Sequence, residues 1–194
     1  MDKKIKIVVG DKNVNLCEIG DNLPLVFIGG PCAIESLNHA VDMAGRISEI
    51  CNSLNISWIY KSCYDKDCRS SANSFHGVGL DEGMKILNEV RKEYKIPVVS
   101  DFSVPSEAKD IASVCDLIQI PAYLCRQTSI LRAAAETKRP ILLKKGQFMS
   151  PWNMKNSVKK IEKFGCKQIL LTERGSFYGY NMLVNDMRSF NIMS

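Results

Sequence analysis

An α/β fold of parallel strands alternating with helices is predicted by three features of this 194-residue chain. Short β-like runs recur from residue 25 onward, amphipathic stretches fill the gaps between them, and every run carries polar residues at its carboxyl end. The runs are LVFIGG (25–30), WIYKS (58–62), PVVSDF (97–102), DLIQIPAY (116–123), PILLKK (140–145) and QILLTERG (168–175). Between them, apolar residues return every three or four positions: Val41, Ala44, Ile47, Ile50 and Leu54, then Met84, Leu87, Val90 and Tyr94, then Ala108, Ile111 and Val114. Ile130, Leu131 and Ala134 continue the series, as do Met154, Val158 and Ile161. Met182 to Met193 reads as the start of a sixth helix.

Ahead of the first unit, KIKIVVGDKNVNL predicts two short strands joined by a turn through Gly10, Asp11 and Asn13, placed to plug one end of the sheet. No linker of small and polar residues divides the chain, so residues 1–194 read as one domain.

Composition narrows the function. With 45% hydrophobic and 24% charged residues the chain has an ordinary globular make-up, and no apolar run approaches the roughly 20 residues that cross a bilayer. The amino terminus turns polar too early for a signal peptide, which predicts a cytoplasmic protein. Eight irregularly spaced cysteines without a CxxC pair predict reduced thiols rather than a disulfide framework. The net charge of +5 arises from 26 Lys and Arg interleaved with 21 Asp and Glu, without the aromatic-plus-basic pattern of nucleic-acid binders. The excess is read as local cationic sites for a phosphorylated ligand.

In βα architectures ligands bind at the carboxyl ends of the strands. There the sequence places Gly29, Gly30, Cys32 and Glu35 after the first run, and Lys61, Lys66, Arg69 and Ser70 after the second. Asp101 follows the third, Gln119 and Arg126 the fourth, Lys144, Lys145 and Gln147 the fifth, and Glu173 and Arg174 the sixth. A lysine or arginine buried at such an end requires an anion, and phosphate or carboxylate is the natural partner. Arginine grips an oxyanion with two parallel hydrogen bonds, whereas lysine acts as a point charge. Any one such residue could equally be a solvated loop residue or half of a structural ion pair. Six runs agreeing on one end favour a site.

Four segments carry a family resemblance: GGPCAIES (29–36), KSCYDKDCRSS (61–71), DLIQIPAYLCRQT (116–128), and KKGQFMSPWNM (144–154) running on to LTERGSFYGYNMLVNDMR (171–188). They resemble the 3-deoxy-D-manno-octulosonate 8-phosphate synthases over nearly the whole chain. The resemblance implies a (β/α)8 TIM barrel with an amino-terminal hairpin, assembled as a homotetramer. It also implies a transferase reaction in lipopolysaccharide (Kdo) biosynthesis: C3 of phosphoenolpyruvate attacks the aldehyde of D-arabinose 5-phosphate, water adds at C2, and phosphate leaves by C–O cleavage. By position, Lys66, Lys144 and Arg174 match the residues holding phosphoenolpyruvate, with Lys61 beside them. Gln119 and Ala122 match the strand-four edge of that site, and Arg126 is grouped with them as substrate-binding. Arg69 and Ser70 match the pair that receives the arabinose 5-phosphate phosphate, and Asp101 a residue contacting the sugar hydroxyls.

The resemblance also divides metal-dependent members, with Cys after GGP, from metal-independent ones, with Asn. Cys32 implies the metal-dependent type, using a divalent ion such as zinc, iron or manganese, with the remaining ligands in segments this chain lacks. His39 and His76 match no ligand position. Six strands do not close an eight-stranded barrel, so the reading expects a chain truncated after about six βα units, with unpaired edges on its first and last barrel strands. KDCRSS stands where the family has KANRSS, so Cys68 replaces an amide, Asp67 an alanine, and Cys63 a serine; His76 precedes Gly77 where an arginine is usual. Two alternatives follow: the synthase of the seven-carbon shikimate precursor, or a non-catalytic remnant that binds anions or pairs with intact subunits.

Overall fold

The computed structural model describes residues 6–194, in two compact units. Of the described residues, the first comprises those up to 100 and 109–117, and the second residues 101–108 and 118–194. The first two residues of the KIKIVVGDKNVNL run lie outside the described residues.

In the first unit, β1 (Lys6–Val9) pairs antiparallel with β2 (Cys17–Gly20). The second hairpin strand thus lies beyond the stretch the sequence suggested. Asp11 folds the connection by accepting from the Asn13 amide at 2.8 Å, and the Asn15 amide donates 2.8 Å to the carbonyl of Lys95. That bond to the end of a helix takes residues 14–16 out of the ladder. β2 lies against the next two strands, and the Cys17 thiol donates to the Trp58 carbonyl at 3.5 Å.

β3 (Val26–Gly29), β4 (Ser57–Lys61) and β5 (Val98–Asp101) follow, β3 parallel to β4 and β4 parallel to β5. Each crossover between them is a helix, α1 (Leu37–Ser53) and α2 (Leu80–Tyr94), which is how parallel neighbours must be joined. Ser36 caps α1, its hydroxyl accepting from the His39 amide at 3.2 Å. α1 buries Ala40, Ala44 and Cys51, whereas Ile50 and Leu54 are exposed, so its core face is rotated from the stripe the spacing suggested. Small residues win that face because the helices run close: a Cβ on Gly45 would meet the Tyr94 hydroxyl at 2.9 Å, and that hydroxyl donates to the Val41 carbonyl at 3.0 Å.

One buried ion pair ties this unit together. Asp116 is fully buried and accepts two hydrogen bonds from Arg91, at 2.9 and 2.8 Å, and a third from the Val98 amide at 3.1 Å. The same guanidinium reaches Asp11 in the hairpin connection at 2.8 Å. These carboxylates hold Arg91 protonated beyond its already high ordinary value. α3 (Ala108–Val114) lies largely in this unit and packs Ile111 into its core.

In the second unit, β6 (Leu117–Ile120), β7 (Ile141–Lys144) and β8 (Ile169–Thr172) are parallel and adjacent in chain order. α4 (Thr128–Glu136) and α5 (Met154–Lys163) are the crossovers. Strands that neighbour one another in chain order, each followed by a helix, are the repeating unit of a TIM-barrel-like fold. β6 is buried throughout, while β8 is half-buried along its length and pairs only with β7 among the described residues. β3 likewise pairs only with β4, and Leu25 just before it is 89% exposed.

The segment read as a sixth helix behaves otherwise. β9 (Ser176–Gly179) and β10 (Met182–Val184) form a hairpin, and only Ser189–Met193 is helical, as α6. Gly179 at φ +157° and Asn181 at φ +58° permit the tight reversal, which apolar spacing alone does not register. Among the described residues no helix is long and apolar enough to cross a membrane.

All eight cysteines are free; Cys32 and Cys68 are exposed and the other six buried. Burial raises the Cys17 thiol to about 11, with the Asp116 charge adding to it. We expect two thiols per chain to react with an aromatic disulfide reagent at pH 8 in the native state, and eight after denaturation. Titration of thiols before and after urea checks this.

Candidate functional site

In the first unit, the loop after β3 is fixed by its main chain. Gly30 adopts φ +153°, and a Cβ there would land on the carbonyl oxygen of Lys61, so only glycine lets the loop pass the end of β4. Ser62 Oγ donates to the Pro31 carbonyl at 2.8 Å, the Ile34 amide donates to Cys63 O at 2.9 Å, and Ala33 bridges Cys63 in parallel. Gly30→Ala should therefore destabilise by about 1–3 kcal/mol, read as a lower urea midpoint.

The loop after β4 closes on itself in the same way. Lys66 N donates to His76 O at 2.7 Å, Asp65 bridges Gly77, and Gly79 N donates to Tyr64 O at 3.1 Å. Gly77, at φ +141°, lies directly on the Tyr64 carbonyl, where a side chain would not fit. Inside this frame Lys61 and Lys66 are half-buried, and Cys68, Arg69 and Ser70 are exposed. Lys61 Nζ contacts Cys63 Sγ at 3.6 Å, and His76 Nδ1 lies 3.6 Å from Asp65 Oδ1. Arg69 lines an open depression with Glu35, Ser74 and Phe75. Its guanidinium has no protein partner among the described residues, which leaves it available to an oxyanion.

Cys32 sits exposed in the pinned loop after β3. Among the described residues no three His, Cys, Asp or Glu side chains gather as a metal-binding group. The residues described do not by themselves fit a metal centre, which needs several donors, and no chemical step is drawn through one.

In the second unit, Asp101 closes β5 and Gln119 lies in β6; the Gln119 amide donates 3.1 Å to Asp101 Oδ2. Ala122 is buried at the start of the turn after Pro121. Arg126 is exposed and lines a cavity of about 270 Å³ with Met149, Asn153, Asn156, Ser157 and Lys160. Lys160 Nζ donates to the Arg126 carbonyl at 3.0 Å and to Thr128 Oγ1 at 2.9 Å.

Lys144 ends β7, half-buried and in register with Thr172 of β8. The following Lys145 is wholly buried. Its ammonium donates to Ser176 Oγ at 2.9 Å, Gly175 O at 3.0 Å and Met149 O at 3.3 Å, and pairs with Glu173 Oε1 at 3.3 Å. Glu173 Oε1 in turn accepts from the amides of Arg174 at 3.0 Å and Gly175 at 2.6 Å. Arg174, between these residues, is half-buried, and its guanidinium has no hydrogen-bond or ion-pair partner among the described residues. A half-buried guanidinium with its backbone clamped and its fork open has the geometry to engage two hydrogen-bond acceptors of a carboxylate or phosphate.

Each sequence-selected residue thus lies on, or in the loop directly after, a barrel strand. In the sequence Lys145 and Glu173 stand out only as polar strand-end residues, and the KK and ER doublets are the one signal of their role.

Comparison with known proteins identifies the family of the chain. The sequence model of the DAHP synthetase I family matches residues 6–194. A 2-dehydro-3-deoxyphosphooctonate aldolase of Rickettsia bellii (strain OSU 85-389) is 49% identical over 177 residues, 91% of this chain and 65% of its own length. The proteins of the same name from Rickettsia prowazekii (strain Madrid E) and Rickettsia typhi (strain ATCC VR-144 / Wilmington) are 49% and 48% identical, each over 93% of this chain and 66% of the relative. The chain spans about 65% of the length of the curated relatives it matches. With the family model covering all the described residues, the chain belongs to the DAHP synthetase I family.

Proposed function

We propose that this chain is part of a synthase that condenses phosphoenolpyruvate with D-arabinose 5-phosphate to give 3-deoxy-D-manno-octulosonate 8-phosphate and inorganic phosphate, in Kdo biosynthesis. The observation that carries the reading is Arg174: half-buried, clamped through its backbone, and open to an anion. The name shared by the relatives supports the eight-carbon product. The family description favours the seven-carbon synthase as the second reading.

The residues proposed for the phosphate and carboxylate of phosphoenolpyruvate are Lys144 and Arg174 in the second unit and Lys66, with Lys61 beside it, in the first. Gln119, Ala122 and Arg126 complete the substrate contacts of the second unit. Asp101 contacts sugar hydroxyls, its orientation fixed by the Gln119 amide. Arg69 and Ser70 receive the phosphate of arabinose 5-phosphate. Fixed cations lower the barrier by orienting the enol phosphate and balancing charge as phosphate departs. No covalent nucleophile is required. A divalent ion held through Cys32 would need further ligands that the described residues do not supply. Residues 1–194 belong to one synthase domain, in a cytoplasmic homotetramer.

Purified protein supplied with phosphoenolpyruvate and either arabinose 5-phosphate or erythrose 4-phosphate, with and without divalent metal, tests the reading by phosphate release. Release with the five-carbon sugar is expected. Release with the four-carbon sugar alone would select the seven-carbon reading, and phosphoenolpyruvate binding without turnover would leave the chain an anion-binding protein. Cys32→Ser should remove any stimulation by metal.

A further inference from the structure

We propose that Lys145 is a positioning residue for Arg174, acting through Glu173, the Gly175 carbonyl and the Ser176 hydroxyl. This rests on the reading of Arg174 as an anion receptor. A lysine without solvent contact is expensive unless it is paired and its protons are satisfied. Lys145 meets both conditions, and three of its five partners, the closest two included, lie in one short segment: Glu173 Oε1, Gly175 O and Ser176 Oγ, with Met149 O and Gly146 O on the other side.

Glu173 Oε1 is shared between that ammonium and the amides of Arg174 and Gly175, so a single carboxylate oxygen links the buried cation to the backbone that carries the guanidinium. Gly175, at φ +96°, lets the chain double back over the ammonium. The Phe177 amide then donates to Gln147 O at 2.8 Å, fastening the exit of the turn to the loop that begins at Lys145. Lys145 touches none of the proposed substrate groups and instead determines where Arg174 stands.

A structural role alone would change stability and nothing else, so the test separates the two. Lys145→Met leaves Glu173 buried and uncompensated and should melt lower. Lys145→Met/Glu173→Leu replaces both charges with apolar groups and should recover most of the melting temperature. If Lys145 positions Arg174, the double variant still binds phosphoenolpyruvate on the order of 100-fold more weakly than wild type, because a misplaced cation does not regain its aim when packing is restored. Its Phe177 amide, which bonds neither replaced side chain, should also exchange hydrogen faster. Wild-type affinity in a double variant of native stability overturns the proposal. If wild type itself binds no phosphoenolpyruvate, the functional reading fails, and the Phe177 exchange rate decides the positioning role: acceleration supports it and an unchanged rate overturns it.

Discussion

Arg174→Ala should lower kcat/KM for phosphoenolpyruvate by on the order of 10²- to 10³-fold while leaving the melting temperature within about one degree of wild type. The guanidinium has no protein partner among the described residues, so its removal breaks no internal bond. The backbone turn around it is held by Glu173 and Lys145, which remain. What is lost is the fork that grips two oxygens of one anion at once. Arg174→Lys should recover only part of the loss, because an ammonium supplies charge without that paired geometry. Steady-state phosphate release alongside thermal melting gives both numbers. Full activity in Arg174→Ala would remove the residue from the site.

The largest effect on stability is expected at Arg91. Arg91→Met should cost about 3–5 kcal/mol, because it strands the fully buried Asp116 without the two hydrogen bonds that offset its desolvation. For a chain of this length that corresponds to a melting temperature lowered by roughly 10 °C. Arg91→Met/Asp116→Leu should be milder than the single change, because no buried charge remains. The Val98 amide then loses its acceptor, which keeps the pair variant below wild type. Calorimetry of the three proteins decides it: a single variant that melts like wild type would show that Asp116 needs no cation.

The six barrel strands were legible because each is a short apolar run ended by polar residues, and the five helices between or after them because their apolar spacing is helical. The carboxyl-end cations were legible for the same reason, since architecture dictates where a βα protein puts its polar ends. Three features escaped. The connection in the amino-terminal hairpin is set by the Asn15–Lys95 bond, between residues far apart in the chain, which no local pattern records. The β9–β10 reversal depends on single residues at positive φ, and its apolar spacing fits a helix equally well. The difference between Lys144 and Lys145 is invisible in a KK doublet, because partners thirty residues away decide which lysine is buried.

The two glycine approaches in the first unit bear on how such a site changes over generations. Gly30 rests on the Lys61 carbonyl and Gly77 on the Tyr64 carbonyl, so the loops carrying Cys32, Lys66 and Arg69 are framed by main chain against main chain. The exposed side chains at Asp67, Cys68, Arg69 and Ser70 bear little of that frame. Substitution can therefore alter the side chains the second loop presents while the fold keeps its shape. The chemistry presented at residues 67–70 can thus change in single steps, whereas a single methyl group at Gly30 or Gly77 blocks the path.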